Sequence, residues 1–124
     1  MSMEDYGAAF GFSASRRAGG LVFFSGQVGF NADGSMSSDP ATQYARAFEA
    51  LGAALDKEGL QPDAVVELLT FHTRFPEFME AFARAKAEFL GDARPTWTAI
   101  GVAALGTPET LVEIKATAAA AGAP

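Results

Sequence analysis

The stretch Val65-Val66-Glu67-Leu68-Leu69-Thr70-Phe71-His72-Thr73 decides the fold. It is rich in β-branched and aromatic residues and fenced by Pro62-Asp63 before it and Pro76 after it, so it reads as a central strand. On both sides the apolar period changes to that of a helix. Upstream, Tyr44, Phe48, Leu51 and Leu55 recur at the i, i+4, i+7, i+11 spacing of one helical face, which predicts a helix over residues 41–58. Asp39 or Ser38 can cap it, Pro40 suits its first turn, and Gly59 with Pro62 stops it. Downstream, Phe75, Phe78, Met79, Phe82, Ala85 and Phe89 share a second helical face, and Gly91 ends that run.

Further out the signals are those of strands and turns. Residues 10–16 alternate weakly, Gly19-Gly20 suits a tight turn, and Leu21-Val22-Phe23-Phe24-Ser25 is a short apolar strand. Residues 26–39, with Asn31, Asp33-Gly34 and three serines, form a loop. After Pro95 the run 96–105 reads as a strand, Gly106-Thr107-Pro108 as a turn, and 110–117 as the last strand. Residues 118–124 are low in complexity and are expected to fray, with 119–124 as the tail proper. The order β-β-α-β-α-β-β predicts an α+β single domain over residues 1–124, its two helices covering one face of a mixed sheet. Leu68, Thr70 and His72 are expected on the opposite face, which is partly apolar and therefore suited to self-association.

Composition narrows the chemistry. The 124 residues carry nine Lys+Arg against fifteen Asp+Glu, a formal charge of −6, one histidine and no cysteine. Phosphate-backbone binding draws on Lys and Arg, so nucleic acid is not an expected partner. A thiolate metal site is impossible, and a three-histidine zinc site is impossible within one chain. Neither a Walker A loop nor a G-x-G-x-x-G turn occurs, so no cofactor is expected. No basic segment followed by an apolar run opens the chain, and nothing approaches the roughly 20 apolar residues of a membrane span. The expectation is a cytoplasmic protein without membrane contact.

Few residues are left to carry polar chemistry. His72 alone has an ordinary pKa near neutrality, which makes it a candidate acid or base, or else a hydrogen-bonded core histidine. Glu113 stands between Val112 and Ile114, so its carboxylate points away from both, to a solvated position or to a site. Trp97 suits packing or a ligand platform, Arg94 a loop surface, and Ser25 a backbone hydrogen bond at a strand end.

The separated runs Phe24-Ser25-Gly26-Gln27-Val28, Gln43, Val65-Val66 through Phe71-His72-Thr73, Pro95-Thr96-Trp97-Thr98 and Val112-Glu113-Ile114 occur in the order found in the RidA/YjgF family of reactive-intermediate deaminases. The chain resembles that family over about residues 10–118, and within it the YjgH-like branch that lacks the substrate-binding arginine. The resemblance implies a chorismate-mutase-like fold, a homotrimer whose sheets form a barrel with helices outside, and three clefts between subunits. In deaminating members an arginine after the Pro turn grips the substrate carboxylate and a glutamate on the last strand positions the hydrolytic water. Glu113 matches that glutamate, whereas the arginine position holds Trp97. A tyrosine near the first strand is replaced by Phe12, and an asparagine in the second helix by Phe82.

The resemblance thus implies Glu113 and His72 as catalytic residues, with Trp97, Phe12, Ser25 and Phe82 around a small-molecule ligand. The implied activity is hydrolysis or deamination of an imine, enamine or related metabolite, without efficient turnover of 2-imino acids. A non-catalytic binding or regulatory trimer is the alternative.

Overall fold

In a computed structural model residues 3–120 are described. The elements are helix α1 (Met3–Phe10), strands β1 (Ser15–Ala18) and β2 (Leu21–Phe24), helix α2 (Pro40–Lys57), strand β3 (Val65–His72), helix α3 (Met79–Leu90), and strands β4 (Thr96–Gly101) and β5 (Val112–Ala119). One mixed sheet has the order β1-β2-β5-β3-β4. β3 pairs antiparallel with β5 on one side and parallel with β4 on the other, so the stretch that opened the sequence reading is an interior strand.

Local chemistry accounts for these elements. Gly19 and Gly20, both at positive φ, make the β1–β2 turn that other residues adopt at a cost. Asp39 caps α2 by accepting from the Thr42 N–H at 3.0 Å, with Pro40 in the first turn. The apolar stripes of α2 and α3 meet through Tyr44, Phe48, Phe82 and Phe89, with Tyr44 edge-on to Phe82 at 5.3 Å between ring centres. Beneath them Val22, Phe24, Leu68, Val112 and Ile114 from the sheet complete a fully buried core. Among the described residues no helix is long and apolar enough to cross a membrane.

Four expectations are corrected. First, helix α1 precedes the strands. It is short and contains Gly7, so no apolar stripe announces it; Tyr6 instead stacks between Phe10 and Phe30, the latter far off in sequence. Second, β4 ends at Gly101 rather than residue 105. The next strand, β5, lies on the far side of β3, so the chain must leave the sheet to pass around the end of β3. The Val102 N–H still reaches the His72 carbonyl at 2.9 Å before that departure.

Third, Ala118 and Ala119 belong to β5 opposite Val22 and Leu21, and the Ala120 N–H donates to the Gly20 carbonyl at 2.9 Å. The expected tail from 119 is therefore held through residue 120, while 121–124 lie outside the described residues. Fourth, Leu68, Thr70 and His72 lie buried under the helices, and Glu67, Leu69 and Phe71 occupy the open face. β3 carries large apolar side chains on both faces, so alternation alone does not select the side that α3 covers.

Candidate functional site

Glu113 takes its place from its neighbours. Val112 and Ile114 enter the core with no exposed surface, which turns the intervening carboxylate to the open face of β5. Paired hydrogen bonds between Gln27 and Ile114, at 2.8 and 2.9 Å, hold the chain after β2 against this strand. Gly26 leaves room there, because a methyl group on it would displace the Glu113 carboxylate. A cavity of about 560 Å³ opens over the carboxylate, bounded by Phe10, Phe12, Phe30, Ser25, Thr107 and Lys115. Burial raises the Glu113 pKa above its ordinary value. Among the described residues the carboxylate has no hydrogen-bond partner.

Phe12 and Ser25 belong to this cavity. The Ser25 hydroxyl donates to the Ser13 carbonyl at 2.7 Å, which spends its proton and leaves the oxygen able to accept. Phe12 is 39% exposed and forms part of the apolar wall.

The other three candidates gather on the helix-covered face. The Trp97 Nε1–H donates to Thr70 Oγ1 at 2.9 Å, and the same oxygen lies 2.8 Å from His72 Nε2. Thr70 Oγ1 accepts from Trp97 and is also bonded to His72 Nε2, where the imidazole tautomer sets which of the two donates. His72 Nδ1 is buried without a partner among the described residues. Phe82 stands edge-on to the imidazole at 4.7 Å, and burial pushes the His72 pKa down to about 4, so the ring is neutral at pH 7. Lys86 lies over the Trp97 ring at 4.3 Å; desolvation first, and the charge of Arg94 second, lower its pKa.

The structure therefore brings Glu113, Ser25 and Phe12 together, and separately His72, Trp97 and Phe82. Phe82 has no exposed surface, so it shapes the seat of His72 and Trp97 instead of presenting itself to a ligand. Arg94 is spent on the end of α3, donating to the carbonyls of Gly91 and Ala93 at 3.0 and 2.9 Å. Sequence reasoning passed over Lys115, although its place two residues beyond Glu113 on a strand puts both on one face. Tyr6 and Phe10 were passed over because they arrive on α1.

A small α+β domain with a half-buried strand glutamate over an aromatic cavity defines the class to which this chain is compared. The sequence profile described as Endoribonuclease L-PSP matches residues 3–120. The RutC family protein YjgH of Escherichia coli (strain K12) is 38% identical over 92 residues, 73% of this chain and 70% of that protein. The solved structure of a protein YJGH superposes with a TM-score of 0.81 at 36% identity, covering 92% of this chain and 87% of that one. A Mycobacterium tuberculosis member of the highly conserved YjgF/YER057c/UK114 family gives 0.83 at 28% identity, covering 96% of each chain. This chain belongs to the YjgF/RidA family.

Proposed function

We propose that this protein is a hydrolase of the imine-deaminase type acting on a small imine, enamine or related metabolite in a cleft completed between copies of the chain. The observation that carries this reading is the Glu113 carboxyl group, half-buried, raised in pKa and facing a cavity with no partner among the described residues. A carboxylate so placed takes a proton from water as the water oxygen bonds to the imine carbon. It returns that proton to the nitrogen to give the carbinolamine R₂C(OH)NH₂, then takes the hydroxyl proton as the carbonyl forms and passes it to the nitrogen as the C–N bond breaks, so that R₂C=NH and H₂O give R₂C=O and NH₃. An imine carbon is already electrophilic, and an oriented water with a general base suffices.

Self-association into the family's trimeric barrel is part of the proposal. Ile100 on the open face is 37% exposed, and β4 is an edge strand. Trp97, 38% exposed on that edge strand, is proposed to meet the neighbouring copy. His72 then acts as a positioning residue, holding Thr70 and through it the indole. With its N–H committed to Thr70, Trp97 offers no charge or donor to an α-carboxylate, which supports weak turnover of 2-imino acids. The family description names ribonuclease activity, but a charge of −6 speaks against tracking an RNA backbone.

The test is Glu113→Gln, assayed for ammonia release from dehydratase-generated imines and sized by light scattering. Loss of hydrolysis with the assembly intact is expected. Wild-type turnover by the variant sinks the catalytic assignment; a monomer at micromolar concentration sinks the intersubunit cleft.

A further inference from the structure

The nine Lys and Arg residues of this acidic chain are nearly all spoken for. Arg17, Arg46, Arg74 and Arg84 form ion pairs with Glu58, Glu49, Glu77 and Glu80. Arg94 binds helix-end carbonyls, Lys86 covers Trp97, and Lys57 is also engaged. Only Arg16 and Lys115 have no partner among the described residues, and both line one cavity of about 560 Å³ with Phe12, Phe23 and Ser25.

Their convergence follows from the sheet. Ser15 and Arg17 of β1 turn toward the helix side, where both bind Glu58, so Arg16 between them turns to the open face. Lys115 reaches the same face from β5, with β2 between the two strands. Two interstrand spacings, about 10 Å, lie within the combined reach of these long side chains. The cavity shares Phe12, Ser25 and Lys115 with the one over Glu113, so the two form a continuous trough.

We infer that Arg16 and Lys115 form an anion subsite, and that the ligand of the Glu113 cavity is a small apolar or aromatic molecule with a carboxylate or phosphate remote from its reacting carbon. This rests on the reading of Glu113 as the hydrolytic residue and extends it. An α-imino acid carries its carboxylate on the reacting carbon. Here Lys115 borders the Glu113 cavity while Arg16 lies two strands from β5, so an anion held by both cations is separated from the reacting carbon by a spacer. Unpaired cations facing an aromatic-walled recess suit such a molecule: the rings take the body, and guanidinium and ammonium take the charge.

Calorimetric titration of the full-length protein with phenylacetate, phenylacetamide and phenyl phosphate tests this. The acid is expected to bind at least ~10-fold more tightly than its neutral amide, and Lys115→Met and Arg16→Gln each to weaken the acid ~10-fold while leaving the amide unchanged. Lys115→Arg should restore most of the loss. Tighter binding of phenyl phosphate than phenylacetate identifies a phosphate subsite, and the reverse order a carboxylate subsite. Equal affinity for acid and amide, no binding of either anion at ~20 mM, or wild-type affinity in both variants overturns the inference. So does a changed assembly mass in the variants, which would mean that the two cations pair with another copy. Glu113→Gln separates the two readings, since it should abolish hydrolysis yet retain or tighten phenylacetate binding.

Discussion

The two faces of the sheet each hold one desolvated titratable group, and they treat it in opposite ways. On the open face Glu113 has no partner among the described residues, borders a cavity and is pushed toward its protonated form. On the covered face His72 is pushed toward its neutral form too, but it is enclosed by Phe75 and Phe82 and bonded to Thr70, which also holds Trp97. Burial perturbs both, so a shifted pKa alone does not mark a reactive group. What separates them is access: the carboxyl group borders an open cavity, whereas the imidazole is 2% exposed.

Breaking the open face should have the largest effect. Glu113→Gln is expected to lower imine hydrolysis by ~10²-fold or more, the scale of a lost general base, with thermal stability close to wild type. His72→Phe in the same assay should cost far less; an equal loss would erase the contrast.

The pH dependence of stability sharpens it next, because the two groups pull in opposite directions. His72 has its folded pKa lowered to about 4 from 6.5, so the unfolded chain binds the extra proton and stability rises with pH across that window. The full effect is at most about 3 kcal/mol. Glu113 has its folded pKa raised above 4.5, so the folded chain holds the proton more tightly and stability falls as pH rises from there through the folded value. Urea titrations across this range should show a steeper rise with pH in Glu113→Gln and a flattened or inverted one in His72→Phe. Parallel curves would deny both shifts.

Smaller effects probe the covered face. Thr70→Val removes the oxygen shared by Trp97 and His72, and about 1–3 kcal/mol of stability should be lost with a shift in indole fluorescence. Unchanged emission would show that Thr70 does not hold the indole. Lys86→Met should cost only ~0.5 kcal/mol, the scale of an accessible cation–ring contact, measured by the same denaturation curve.

Much of the fold was legible because its signals are local. The α2 stripe, the Asp39 cap, the Gly19-Gly20 turn and the Pro-fenced β3 are each written in a few neighbouring residues. The misread parts depend on distant partners: α1 is held through Phe30, β4 is cut short by the route to β5, and the covered side of β3 is chosen by α3. At the site, Glu113 was legible as a carboxylate between two core residues. Lys115 was equally within reach of that argument, whereas Arg16 needed the Glu58 pairing of its neighbours to fix its direction.

The strand order carries one last consequence, for synthesis. β1 pairs with β2 and β3 with β4, but only β5 joins these two halves. A nascent chain that has not yet delivered residues 112–119 owns a hairpin and a βαβ unit with exposed edges and nothing to zip them together. Closure of the sheet, and with it the placing of Glu113 over its cavity, waits on the last strand. The same residues complete the scaffold and carry Glu113, so a chain without them has neither the closed sheet nor that carboxyl group.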